Sequence, residues 1–264
     1  MAEPMLHVVE EGDGTPVVLL HGLTATHRYV VMGSNALERA GHRVLAYDAR
    51  GHGASQPGNR YDYDRLTGDL ERVLDDDGIE RTVIAGASMG AHTALRFALG
   101  RPKRVAGLVL ITPAHDPATF PAGLAAWDAL AAGVRTGGVE GFVAAYDTGA
   151  VDARWRDTIT TVLRQRMSLH EHLGAVADAL EQVPRSHAFA SWDELSRLAL
   201  PVTVVASRDE ADPEHPYAVG ERYAEAIPNA RLVSEDEGAS PLAWQGAQVS
   251  KVISEVADAA AAAP

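Results

Sequence analysis

Short apolar runs punctuate the chain at residues 17–20, 44–47, 83–85, 105–111 and 202–206, each bounded by turn residues. Continuous runs of this length, without polar alternation, are the pattern of strands covered on both faces, as parallel strands are. An edge-like run at 6–9 precedes them, and a short apolar run at 231–233 follows. Helical stretches lie between the runs. In 65–74, for example, Leu66, Leu70, Val73 and Leu74 fall on one face. The alternation predicts an α/β fold with a mostly parallel central sheet and crossover helices.

The alternation stops after Ile111 and resumes near Leu200. The intervening stretches 124–134, 139–145, 155–167 and 173–183 are Ala-rich and periodic at helical spacing. Trp155, Ile159, Val162 and Leu163 form one apolar stripe, made imperfect by Arg166. Pro113, Pro117 and Pro121 mark one end of this region and Pro201 the other, where proline breaks helices and frames strand entry. The chain therefore divides into a core of residues 1–115 and 198–264 and a helical insertion at 116–197. The Ala-rich stretch 257–264 reads as a fraying helix end.

Composition narrows the picture. The 264 residues are 46% hydrophobic and 22% charged, which excludes disorder as the main state. Asp and Glu outnumber Lys and Arg by 36 to 23, and a formal charge of −13 repels nucleic acid and anionic lipid. Neither is an expected partner. The chain has no cysteine, so disulfides, thiolate metal sites and a cysteine nucleophile are excluded. The first ten residues lack a basic segment followed by an apolar run, and no stretch has the length of a membrane helix. A soluble, cytoplasmic protein is the expectation. No dinucleotide fingerprint or metal-ligand constellation is evident, so neither cofactor nor metal is expected. His170 and His172, two apart on a helix, point in different directions.

Gly86-Ala87-Ser88-Met89-Gly90 fits the G-x-S-x-G pattern of a nucleophile placed on a sharp strand-to-helix turn. Context supports it, because 83–85 supplies the strand and 92–99 the helix. The glycines relieve collisions at a strained bend, and the helix start aims amides and a positive dipole end toward charge near the hydroxyl. Upstream, the strand 17–20 ends in His21-Gly22-Leu23-Thr24. The N–H groups of Leu23 and Met89 are the expected oxyanion donors. The stretch Asp48-Ala49-Arg50-Gly51-His52-Gly53-Ala54-Ser55 reads as a structural turn.

With His21-Gly22, the 48–55 stretch, the elbow at Ser88 and the segment 201–216, the chain resembles the α/β-hydrolase family, specifically its small esterase-like members with a helical cap. The resemblance covers nearly the whole chain, with 116–197 in the cap position. It implies a serine nucleophile, an acid after the strand at 202–206, and a histidine in the loop after the last strand. Asp212, in Asp212-Pro213-Glu214-His215-Pro216, is similar to the family's acid motif and is preferred to Asp209.

The histidine departs from the pattern. The family position falls on Ala239, in Gly238-Ala239-Ser240-Pro241, and no histidine follows His215. Serine needs a base to take its proton. Either another residue supplies it, or acyl transfer of the usual kind has been lost, or Ala239 is an introduced replacement. Sheet order favours His115 as the substitute, since its loop lies between the nucleophile strand and the acid strand. His215 sits within the acid loop and is expected farther from the serine. A carboxylate of Glu235, Asp236 or Glu237 turned inward is a more remote option. His21, His52 and His92 are expected to be structural.

The reading is a serine hydrolase acting on an ester or related acyl substrate. Trp127, Phe142, Tyr146 and Trp155 are expected to line a mainly apolar cavity for a small-molecule partner. Two rivals use the same scaffold: a binding protein with reduced catalysis, and an acyltransferase.

Overall fold

In the computed structural model, which describes residues 3–149, 151–209, 211–239 and 244–262, the apolar runs become a seven-stranded sheet. Its strands are β1 (Val8–Glu11), β2 (Thr15–Leu20), β3 (His42–Tyr47), β4 (Thr82–Ala87), β5 (Val105–Ile111), β6 (Val202–Val205) and β7 (Arg231–Val233). The spatial order is β1-β3-β2-β4-β5-β6-β7. Only β1 is antiparallel, against β3; the other neighbours are parallel. The expected mostly parallel sheet is present, and its exposed edge-like strand lies at the edge.

The two faces bury alternate residues, as a period of two requires. Val18, Leu20, Ile84, Leu108 and Leu110 join one core, with α2 (Tyr63–Asp76), α3 (Met89–Gly100) and α7 (Tyr217–Ala226). Val17, Leu19, Val83, Ala85 and Val109 join the other, packed on Leu37 of α1 (Ala36–Arg39) and on α8 (Gly246–Ala262). The stretch beginning at Ala257 is thus more than a frayed end. It continues a helix that buries Val249, Ile253, Val256 and Ala257 against the sheet. Residues 263 and 264 lie outside the described ones.

The region between β5 and β6 folds as α4 (Leu124–Ala145), α5 (Ala153–Met167) and α6 (Leu173–Gln182). The sequence separates 124–134 from 139–145, and α4 bends between them at Gly138, whose φ of 58° and ψ of −135° interrupt the helical path. The insertion is latched to the core at the turn after β3. Gly53 N–H donates to His170 Nδ1 at 2.8 Å, and Glu171 N–H donates to Gly53 O at 2.9 Å.

That turn carries a deeply buried charge. Arg50, 1% exposed, sends Nε and Nη2 to the two carboxylate oxygens of Asp69 on α2 at 2.6 and 2.8 Å. Such a forked pair is needed to keep a buried guanidinium compatible with an apolar surround.

Candidate active site

Ser88 stands between β4 and α3 with φ 51° and ψ −114°, a conformation disfavoured for a residue with a side chain. The neighbouring glycines make the bend sterically feasible. A Cβ on Gly86 would come within 2.3 Å of the Gly90 backbone, and one on Gly90 within 2.1 Å of the Leu20 carbonyl oxygen. Ser88 N–H donates to Ile111 O at 3.0 Å, tying the bend to the end of β5.

The loop after β6 supplies the partners. His215 Nε2 lies 2.9 Å from Ser88 Oγ, and Nδ1 lies 2.8 and 2.9 Å from the two carboxylate oxygens of Asp212. A carboxylate can only accept, so Nδ1 carries the hydrogen. Nε2 is left with a lone pair facing the serine hydroxyl. Burial opposes the charged form of His215, but the hydrogen bond and charge of Asp212 outweigh it and raise the imidazole above its ordinary value. Burial likewise opposes ionisation of Asp212; its hydrogen bond to His215 and the adjacent positive charges prevail and hold the carboxyl low.

This overturns the expectation that His215 lies farther from the serine than His115. His115 Nε2 is instead 3.0 Å from Phe189 O, to which it donates, and its ring sits among Phe120, His187 and Phe189. Its one donor is committed and burial depresses its pKa. His115 therefore lines the site without reaching the serine relay. Ala239 is exposed, with its N–H donating to Asp236 O at 3.0 Å. Ser240 and Pro241, which share the family-like loop, lie outside the described residues. Asp209 folds the acid loop: its Oδ1 accepts Ala211 N–H at 2.8 Å and its carbonyl accepts Asp212 N–H at 3.1 Å.

The acidic run after β7 has a bracing role. Glu235 accepts hydrogen bonds from Ser207 Oγ (2.8 Å), Arg208 N–H (2.6 Å) and Trp244 Nε1 (2.7 Å), so the start of the Asp212 loop is pinned to the neighbouring strand end. The structural histidines do similar work elsewhere. His92 Nε2 accepts the amides of Ala114 and His115, both at 3.0 Å. Its remaining Nδ1–H then points at Tyr63 Oη, 2.9 Å away. His21 Nε2 accepts Ala49 N–H at 2.8 Å, and burial pushes its pKa down to about 3. His52 Nε2 lies 2.7 Å from Leu23 O and steadies that loop.

Ser88 and His215 open onto a cavity of about 1450 Å³. Trp127, Phe142, Tyr146 and Trp155 all line it, as do Leu23 and Met89. The amides of Leu23 and Met89 have no backbone acceptor among the described residues.

A strained serine at a strand-to-helix bend, reached from the loop of a later parallel strand, is the arrangement to set against known proteins. Residues 15–246 match the family described as alpha/beta hydrolase fold. The chain belongs to that family. A 2-hydroxy-6-oxononadienedioate/2-hydroxy-6-oxononatrienedioate hydrolase of Pseudomonas putida is 31% identical over 240 residues, covering 86% of this chain and 82% of the relative. Some matches are local: with an sn-1-specific diacylglycerol lipase of Danio rerio, 37% identity over 102 residues covers 38% of this chain and 32% of the relative. The chain thus spans about a third of that relative.

Among solved structures, a hydrolase from Pseudomonas aeruginosa superposes with a TM-score of 0.76 at 24% identity, covering 98% of this chain and 95% of that one, which shows the fold. An enol-lactonase from Burkholderia xenovorans gives 0.69 at 25% identity, with 88% of each chain covered. The relatives named here on this α/β-hydrolase fold are hydrolases, which supports hydrolase activity for this member. No helix among the described residues is long and apolar enough to cross a membrane.

Proposed function

We propose that this α/β hydrolase cleaves esters or related acyl compounds by covalent catalysis at Ser88, with His215 as the base and Asp212 as its orienting acid. The observation that carries the reading is the unbroken relay from Ser88 Oγ to His215 Nε2 (2.9 Å) and from His215 Nδ1 to Asp212 (2.8 Å). His215 takes the serine proton as Oγ attacks the acyl carbon, and Asp212 stabilises the imidazolium that forms. The developing oxyanion is received by the amides of Leu23 and Met89, the latter at the positive end of α3. His215 then returns the proton to the leaving alcohol. Water attacks the acyl-enzyme by the same route in reverse.

The helical insertion at 116–197 acts as the cap of this site. Its aromatic residues favour a small substrate with a largely apolar acyl or alcohol part. A fluorophosphonate probe with an intact-mass readout tests the nucleophile. One adduct per chain, absent from Ser88→Ala together with hydrolysis of short-chain aryl esters, is the expected result; labelling that survives in Ser88→Ala contradicts it. With an alcohol present, free acid should remain the main product, whereas a predominant new ester would identify an acyltransferase.

A further inference from the structure

A second constellation lies apart from the cavity. His7, just before β1, His27, after β2, and Asp48, at the end of β3, each present one ligand atom, and the three atoms lie within 4.8 Å of one another. None of the three lines the Ser88 cavity. Positions 7, 27 and 48 follow no metal-binding spacing, so the sequence does not announce the cluster; parallel pairing of β2 with β3 and antiparallel pairing of β1 with β3 assemble it.

The acidic member is fixed before any ion arrives. Asp48 is 2% exposed, and its Oδ1 accepts His27 N–H at 2.8 Å while Oδ2 accepts Ala54 N–H at 3.1 Å. Burial works against its ionisation, yet the hydrogen bonds from His27 and Ala54 hold its carboxyl far below the usual carboxylate range. Gly53 crowds the other side, where a Cβ would come within 2.1 Å of Oδ2. The backbone is tied as well: Asp48 N–H donates to His7 O at 3.0 Å, and Ser55 Oγ accepts His7 N–H at 2.8 Å while donating to Asp48 O at 2.6 Å. Ligands positioned by rigid elements and supported by outer hydrogen bonds are what a metal site requires.

We propose that His7, His27 and Asp48 bind a divalent cation of the zinc class, with a fourth position left to water. His27 Nδ1 and Asp48 Oδ1 are 2.9 Å apart. Ligand atoms around tetrahedral zinc lie roughly 3.3 Å from each other, so this edge is close to formed. His7 is exposed, and its ring lies 5.2 Å from that of His27. Two imidazoles and one carboxylate suit zinc or its first-row neighbours and not calcium or magnesium, which prefer oxygen. On binding, the His27 hydrogen moves from Nδ1 to Nε2, so a neutral imidazole loses no net proton. The ion would clamp the start of the sheet to the 24–29 loop, whose Thr24, Ala25, Arg28 and Tyr29 line the cavity.

Calorimetric titration of the untagged, metal-stripped full chain with Zn²⁺ alone tests this. One ion per chain is expected, with a rise in melting temperature. His7→Ala should melt as the parent does without zinc, but bind it more weakly by more than the roughly 10- to 100-fold typical of losing an outer-shell partner. His27→Gln should do the same, and His187→Ala, at an exposed histidine elsewhere, should leave the affinity within about threefold. Absence of stoichiometric binding overturns the proposal, as does binding that His7→Ala leaves intact. Ser88 labelling plays no part in this test, so either site can fail without the other.

Discussion

At the scale of the residue, the proposed chemistry rests on how Asp212 changes the His215 imidazole. Asp212 raises His215 above the ordinary histidine value of about 6.5, and the base must be neutral to accept the serine proton. Ester hydrolysis should therefore switch on along a limb centred above pH 6.5. In Asp212→Asn the larger raising influence is gone and only that of Glu214 remains, so the limb should move to lower pH while kcat falls by roughly 10³- to 10⁴-fold. A pH profile of kcat/KM for both proteins checks this, and an unmoved limb would separate Asp212 from the titrating group. The stability linkage has a defined sign. A folded-state value raised above the unfolded one stabilises fully below about pH 6.5 and loses that contribution as pH rises through the folded value.

Ser88 and Asp212 were legible as residue types in a context: a glycine-framed bend and a proline-framed acid after a strand. The role of His215 was not legible. Strand order places loops along a sheet edge but says nothing of how far one loop doubles back. In Asp212-Pro213-Glu214-His215 a single tight turn, with His215 N–H to Asp212 O at 3.4 Å, puts carboxylate and imidazole side by side. The available signal was their spacing of three within a rigid, proline-framed segment. The same limitation made His115 attractive, because its loop does lie between the two strands, yet its Nε2 faces Phe189 O.

At the scale of the element, a loop that carries both the acid and the base of the proposed relay must be held more firmly than one carrying the acid alone. Glu235 supplies that restraint from the end of β7, joining Ser207, Arg208 and Trp244 through one carboxylate. It touches no reacting atom, so it is a positioning residue. Glu235→Ala should lower kcat roughly 10- to 100-fold, the scale set by displacements of about 1 Å in a catalytic group. The pH limb should stay in place because the Asp212 to His215 pair survives, and Glu235→Gln, which keeps an acceptor oxygen, should recover part of the loss. Steady-state kinetics across pH distinguishes this from a general loss of folding. The acidic residues of 235–237 read in sequence as solvated surface, because a charge run carries no sign of which member turns inward.

At the scale of the whole molecule, most of the architecture was written in the hydrophobic pattern. Runs such as 105–111, covered on both faces, require a parallel sheet between two helical layers, and alternate residues of those runs do fall into two cores. Helices α4, α5 and α6 lie between β5 and β6 where the strand pattern is interrupted, and Gly138 divides α4 where the periodic stretches divide. Helix α8 was underestimated because its alanine-rich end lacks a strong polar face, although Ala257 is fully buried. What the sheet order could not convey is that the imidazole facing Ser88 sits on the same loop as its carboxylate partner, while Ala239 is exposed.

The most direct test of that claim is the hydrolysis rate of one activated ester by His215→Ala, His115→Ala and Ala239→His, each checked for an unchanged melting profile. The account predicts that His215→Ala loses about 10³-fold or more, that His115→Ala stays within several-fold of the parent, and that Ala239→His brings no gain. Parent-like turnover by His215→Ala, or a rise of orders of magnitude in Ala239→His, would contradict it.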